Sequence, residues 1–97
     1  MAKWVDMNDI EDLINEELDG IRDLIHRKNR DYGNSLQESF IVFGSGNDPM
    51  AGIKARIDDK LNRIRTVGVC DNTMDTIDDL VGYLIHLKIM HKRMKKS

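Results

Sequence analysis

The chain is poor in cysteine, proline and aromatic residues, and it has no long apolar run. Its single cysteine, Cys70, cannot form a disulfide within the chain or supply a cysteine-based zinc site, so a reducing cytoplasm is the expected location. No apolar stretch approaches the roughly 18 residues that a membrane-spanning helix needs, and no membrane partner is expected. Aromatic residues make up 5% of the chain, so the core must be built from Ile, Leu, Val and Met.

A strong charge of one sign is also absent. The formal net charge of −2 lacks the positive balance typical of proteins that bind DNA or RNA, so no direct nucleic-acid binding is expected. The two ends nevertheless differ, because residues 1–23 contain eight acidic and two basic residues, whereas residues 88–97 contain five Lys or Arg and no acid. The 97 residues suffice for one small domain, and self-association into a homo-oligomer would enlarge its limited core.

The spacing of apolar residues predicts three long helices and no strand. In the first, from about residue 9 to about residue 29, apolar side chains recur at intervals of three and four, and Asn8 with Glu11 resembles a capping box. A second long helix ends near residues 67–68, where Gly68 suits a C-cap. A third begins with Asn72 or Thr73 as its cap.

Shorter segments complete the predicted organisation. Ser35 can cap a short helix that reaches about residue 43, and the glycine-rich residues 44–52, which include the single proline, are predicted to form a flexible loop. Residues 1–8 form an N-terminal segment and residues 94–97 a basic tail. The sequence therefore predicts one all-α domain over residues 1–97, an antiparallel bundle of three long helices plus one short helix.

Several charged residues fall on or beside the apolar stripes when each helix is drawn at about 100° per residue. Glu17 points into the stripe of the first helix, and Lys60 into that of the second, with Arg56 and Arg63 beside it. An inward carboxylate and an inward ammonium are costly unless each has a partner. One interpretation is a Glu17–Lys60 ion pair, or two long side chains that extend to the end of the bundle and keep their charged groups in water. The other is that Arg56, Lys60 and Arg63 bind phosphate oxygens, with Glu17 near a metal ion.

A second polar line runs along the third helix, opposite its apolar stripe. It consists of Asp75, Asp79, Gly82 and His86. Carboxylates one turn apart can share a Mg²⁺ ion, whereas the alternative is that this face is solvated, with His86 at the surface or at an interface. Glycine within a helix is unfavourable, so either something approaches Gly82 closely or the position tolerates it.

Three ordered segments resemble a known family. They are residues 28–33 (KNRDYG), residues 52–64 (GIKARIDDKLNRI) and residues 75–83 (DTIDDLVGY). This set is similar to the type 1 nucleotide-modification-associated domain, a family largely encoded by phages and distantly similar to the MazG-type all-α nucleoside triphosphate pyrophosphohydrolases. The resemblance implies a MazG-like helical bundle that forms a homo-oligomer, handles nucleotides in the cytoplasm of an infected bacterium and uses Mg²⁺.

The resemblance also assigns expected roles to individual residues. The expected Mg²⁺ ligands are Asp59, Asp75 and Asp79. The expected nucleotide- and phosphate-binding residues are Lys28, Asp31, Tyr32, Arg56, Lys60, Arg63 and Tyr83, of which Tyr32 or Tyr83 would contact the base or the sugar.

Two functions remain open at this stage. The first is a Mg²⁺-dependent nucleoside triphosphate pyrophosphohydrolase. The second is a non-catalytic phage protein, or sponge, that sequesters a nucleotide immune signal of the host. MazG-type enzymes hold magnesium with one ExxE and one ExxD pair, and here Thr76 stands where the second pair has its glutamate, while Asn62 follows Asp59 by three residues. A third possibility is a helical adaptor that binds another protein through its charged faces.

Overall fold

A computed structural model describes residues 7–31 and 48–95, and the side chains from residue 9 onward within these ranges. They form three α-helices, which we call α1 (Met7–Asp31), α2 (Ala51–Val67) and α3 (Met74–Lys95), with a 3-10 turn (Asp71–Thr73) before α3. Within the described ranges, the prediction of an all-α fold with three long helices is confirmed. The predicted short helix between residues 35 and 43 lies outside the described residues, as does Tyr32.

The helix ends differ from the predictions by a few residues. α1 begins at Met7, before the predicted cap Asn8, and continues to Asp31 instead of ending near residue 29. α2 begins at Ala51, so the last two residues of the predicted 44–52 loop are helical. α3 continues to Lys95, into the predicted basic tail. Helix termini are set by a balance of local hydrogen bonds, which apolar spacing alone does not resolve.

The connection between α2 and α3 is closed by hydrogen bonds from a glycine and a threonine. Gly68 adopts φ 92° and donates its N–H to the carbonyl of Ile64 at 2.8 Å, which confirms the predicted C-cap. The Thr73 hydroxyl accepts the N–H of Cys70 at 2.9 Å and donates to the carbonyl of Gly68 at 2.8 Å. Thr73 is fully buried. α3 begins at Met74, directly after Thr73, which agrees with the predicted start of this helix. The 3-10 turn that precedes it begins at Asp71 and has Cys70 as its cap.

α3 lies between the other two helices and runs antiparallel to both. Lys28 of α1 contacts Asp79, and Ile25, three residues earlier, approaches Gly82, three residues later. The same relation holds for α2. Lys60 contacts Asp79, and Arg63, which follows Lys60 by three residues, contacts Thr76, which precedes Asp79 by three residues.

The face of α3 that packs against its neighbours combines polar and apolar residues. Its buried residues are Thr76, Gly82, His86 and Met90, whereas Asp75 is exposed. The alternative of a solvated face therefore holds for Asp75 but not for Gly82 and His86, and His86 does not lie at the surface. A methyl group on Gly82 would lie 3.4 Å from the Ile25 side chain, so a close approach of α1 explains this glycine.

The apolar core within the described ranges is small. Ile53 and Met90 are buried, and Met50, Ile57, Tyr83 and Leu87 pack around them. The radius of gyration is 15.9 Å, against about 12.5 Å for a compact domain of this length. The first half of α1 accounts for part of the difference, because residues 9–20 are all exposed. No helix within the described ranges is long and apolar enough to span a membrane.

Candidate functional site

An ion-pair cluster joins the three helices, and we call it the Asp79 cluster. The ammonium of Lys28 lies 2.5 Å from Asp79 Oδ1, and the ammonium of Lys60 lies 3.5 Å from Asp79 Oδ2. The Asp79 side chain is 19% exposed, while those of Lys28 and Lys60 are 42% and 29% exposed. Two positive charges thus meet one negative charge, so the cluster carries a formal charge of +1 at the edge of the bundle.

The antiparallel arrangement places these three residues together. Lys28 lies in the last turn of α1 and Asp79 in the second turn of α3, so an antiparallel pair of helices brings them side by side. Gly82, one turn further along α3, lets Ile25 and therefore α1 approach closely. Lys60 reaches the same carboxylate from α2, on the other side of α3.

Arg63 extends the basic face of α2 along α3. Its Nε donates to the Thr76 hydroxyl at 3.2 Å, and a longer contact of 3.5 Å joins its guanidinium to the carbonyl of Asn72. The predicted resemblance to MazG-type enzymes would require a carboxylate at the position of Thr76. In this chain the threonine hydroxyl serves as an acceptor for Arg63.

A cleft lies beside the Asp79 cluster, between α1 and α3. Its volume is about 570 Å³, within the range of about 300 to 1,000 Å³ usual for small-molecule sites. Among the described residues, its charged lining is Glu17, Asp23, Arg27 and Lys28 from α1, and Asp75, Asp78 and Asp79 from α3. Five carboxylates and two cations make the wall predominantly acidic, so a bare polyanion would be repelled by most of it.

The structure brings together some of the predicted site residues. Lys28, Asp75 and Asp79 line the cleft, and Lys60 and Arg63 contact the same two turns of α3. Tyr83 is half-buried and lines a narrow crevice beside Lys28 and Asp79. Asp31, Arg56 and Asp59 are exposed and do not line the cleft, and Arg63 is likewise exposed outside it.

Glu17 and Lys60 do not follow the predicted arrangement. Glu17 is exposed on the wall of the cleft, so it does not point into a dry interior. Lys60 has Asp79 as its partner, in place of the predicted ion pair with Glu17. Helical projection places a residue on a face of its own helix but does not say which neighbouring helix that face will meet.

Three charged residues of the cleft were not among the predicted site residues: Asp23, Arg27 and Asp78. Their sequence positions offered a signal. Asp78 directly precedes Asp79 and follows Asp75 by three residues, so it lies on the same side of α3 as Asp75. Arg27 directly precedes Lys28, which was a predicted site residue.

The three predicted Mg²⁺ ligands do not all lie in the same site. Within the described part of the chain, no group of three or more His, Cys, Asp and Glu side chains is arranged to hold a metal ion. Asp75 and Asp79 are one turn apart on the cleft wall, which suits a hydrated ion held by two carboxylates. Asp59 is exposed on α2 and does not line the cleft. Magnesium binding therefore remains a prediction that rests on the α3 carboxylates.

No family model matches this chain, and the comparisons with curated proteins and with solved structures gave no match either. The resemblance to the type 1 nucleotide-modification-associated domain therefore remains a prediction.

Proposed function

We propose that this chain binds a phosphorylated nucleotide in the cleft between α1 and α3, with Lys28 and Lys60 as its phosphate ligands. The observation that carries the proposal is the Asp79 cluster, in which ammonium groups from two helices converge on one carboxylate at the edge of a cleft of nucleotide size. A phosphate group accepts hydrogen bonds from lysine as a carboxylate does. It can therefore take the place of Asp79 as the partner of either lysine.

The acidic wall of the cleft favours a nucleotide that arrives as its Mg²⁺ complex. Asp75 and Asp78 face the same space as Lys28. A magnesium ion keeps several water ligands and bridges carboxylates to the phosphates of a substrate. In such a complex the α3 carboxylates contact the hydrated metal, while the lysines contact phosphate oxygens. A bare triphosphate would bind more weakly because the acids would repel it.

Binding without hydrolysis is the form of the proposal that the Asp79 cluster favours. Both oxygens of Asp79 have a lysine partner, so a catalytic metal ion on Asp79 would lie beside two positive charges that repel it. A sequestering protein, such as a sponge for a nucleotide immune signal, needs no metal ion on Asp79, because a phosphate that replaces Asp79 as the partner of a lysine can hold the ligand. The Mg²⁺-dependent pyrophosphohydrolase is the alternative outcome of the experiment below.

The experiment incubates the pure protein with nucleoside triphosphates and cyclic nucleotide signals, with and without Mg²⁺. Chromatography of the small molecules is performed before and after heat denaturation. A ligand that disappears from solution and returns unchanged on heating supports the sequestering protein. Conversion of a triphosphate to a monophosphate only with Mg²⁺ supports the hydrolase, and no depletion of any nucleotide contradicts the proposal.

Two lysine variants test the site itself. Lys60→Met removes an ammonium of the Asp79 cluster, and nucleotide affinity should fall at least about tenfold, because a charge-assisted hydrogen bond contributes about 1.5 to 3 kcal/mol. Lys54→Met is the matched control, since Lys54 lies on the same helix but pairs with Asp48 at 2.5 Å, where both side chains are substantially exposed. Equal affinities of the two variants would remove Lys60 from the site, provided that circular dichroism shows both to be folded.

A further inference from the structure

The first half of α1 exposes a stripe of large apolar side chains. The exposed fractions are 37% for Ile10, 47% for Leu13 and 52% for both Ile14 and Leu18. Their spacing of three and four residues places them on one side of the helix. An exposed apolar stripe of this size on a small domain marks an interaction surface.

A matching apolar surface is open at the junction of α1 and α3. Its apolar lining is Leu18, Ile21 and Ile25 from α1, and Val81, Ile85 and Ile89 from α3. They enclose a groove of about 370 Å³. On α3 this apolar side remains open, since Leu84, Ile85 and Ile89 are 45%, 38% and 40% exposed. A row of large apolar side chains left exposed on a helix is a surface that a partner can cover.

The charges around the two surfaces are complementary. Residues 7–19 of α1, which contain the exposed stripe, include six acidic residues and no base. The groove is bordered by Arg22 and His26 of α1. On α3, Lys88 and Lys92 follow Ile85 and Ile89 by three residues, so they lie one turn further along the same side. An acidic helix with an apolar stripe therefore fits a groove with a basic border.

We propose that the groove is occupied by a second copy of this chain, with the two α1 helices antiparallel. The acidic first half of each α1 lies in the groove of the other copy, between α1 and α3. Leu18 belongs to both surfaces, so it lies near the two-fold axis. One two-fold arrangement covers both exposed surfaces of each copy, and α1 and α3 of the two copies form a four-helix core.

The direction of the pairing follows from charge. A parallel pair would place the acidic residues 7–19 of one α1 against the acidic residues of the other, and like charges in contact are destabilising. The antiparallel pair places them beside the last part of α1, which contains the bases Arg22, Arg27, Lys28 and Arg30. Charge thus selects the antiparallel dimer.

The first test is sedimentation equilibrium over a range of protein concentrations, without nucleotide. The natural chain should sediment as a dimer, and Leu18→Lys should weaken dimerisation at least about 30-fold, the effect of removing an apolar contact at the centre of an interface. Leu18 is exposed in the monomer, so the variant should keep its helical circular dichroism. Leu61→Lys is the control, because Leu61 is 42% exposed on α2, away from the groove, and should leave the dimer intact.

The second test determines direction by cross-linking two cysteine variants in a Cys70→Ser background. Leu18→Cys lies near the two-fold axis and should form a disulfide-linked dimer on oxidation. Asp9→Cys should not, because in an antiparallel pair residue 9 lies near the end of the other α1, whereas a parallel pair brings every residue close to its own copy. Efficient cross-linking of Asp9→Cys overturns the antiparallel arrangement.

Two further results would overturn the proposal. A monomer at every concentration excludes a second copy as the occupant of the groove. A dimer that Leu18→Lys leaves unchanged places the interface elsewhere. Neither result bears on nucleotide binding, because these experiments use no ligand and change no residue of the Asp79 cluster.

Discussion

Because His86 is buried, this one side chain should make the free energy of unfolding depend on pH. His86 is 7% exposed on the inner face of α3, and desolvation holds its pKa below the ordinary value of 6.5. The charged imidazolium loses hydration when it is buried, so the folded chain favours the neutral ring. The unfolded chain, in which the ring is solvated, takes up a proton more readily.

The free energy of unfolding should therefore fall as the pH drops through about 6.5, the value at which a solvated histidine is half protonated. Well above that pH the ring is neutral in both states and contributes no pH dependence. Urea unfolding at pH 8 and at pH 5.5 measures the difference. His86→Gln should reduce the loss, while His91→Gln, which removes an exposed histidine, should retain it. Equal losses in all three proteins would contradict the assignment to His86.

For the Asp79 cluster, the sequence predicted the individual residues but not the contacts between them. Lys28, Lys60 and Asp79 were each predicted as site residues on account of their position and the family resemblance. Their mutual contacts were not predicted, because they join residues 51 and 19 positions apart in the sequence. Glu17 was assigned as a partner of Lys60 in one interpretation, but an aspartate on a third helix takes that place.

Substitution by alanine should change the stability in opposite directions at two glycines that have open space around them, because these glycines have different backbone conformations. Gly68 has φ 92°, which disfavours any side chain, and an added methyl group there would meet no atom within 4 Å. Gly68→Ala should therefore destabilise the chain by about 1 to 3 kcal/mol through backbone strain alone. Gly20→Ala, in the middle of α1 and also free of steric conflict, should stabilise it by about 0.5 to 1 kcal/mol.

Urea unfolding of the two variants and the natural chain checks both signs. The pair forms an internal control because both substitutions add the same methyl group. A stabilised Gly68→Ala protein would show that the end of α2 can adopt another conformation, and an unchanged Gly20→Ala protein would show that the middle of α1 contributes little helical order.

For α3, the sequence predicted correctly which residues share a side of the helix, but not which of its residues the neighbouring helices would cover. The sequence placed an apolar stripe on one side and the polar residues Asp75, Asp79 and His86 on the other. The structure buries much of the polar side, since α1 and α2 both pack there and satisfy Asp79 and Thr76 with Lys28, Lys60 and Arg63. Periodicity shows that a helix has two sides, but only the neighbouring helices decide which one is covered first.

At the scale of the whole molecule, stability and association should be coupled. Within the described ranges, Ile53 and Met90 are the buried apolar residues, so this part of the protomer has little apolar burial of its own. The melting temperature should therefore rise with protein concentration, because mass action favours the folded dimer. Calorimetry over a hundredfold range of concentration measures this. Leu18→Lys should remove the dependence, and a melting temperature independent of concentration in the natural chain would contradict the coupling.

The sequence by itself determined the helical class, the approximate extent of three long helices and the cap at Gly68, because these depend on interactions between residues close in the chain. It also identified most of the charged residues that gather near the cleft. Only the tertiary structure decided that Asp79 bridges Lys28 and Lys60, that Thr76 accepts a hydrogen bond from Arg63, and that α3 turns its polar side inward. These contacts join residues distant in sequence, and their energies depend on burial and on the direction of approach, which become defined when the helices pack.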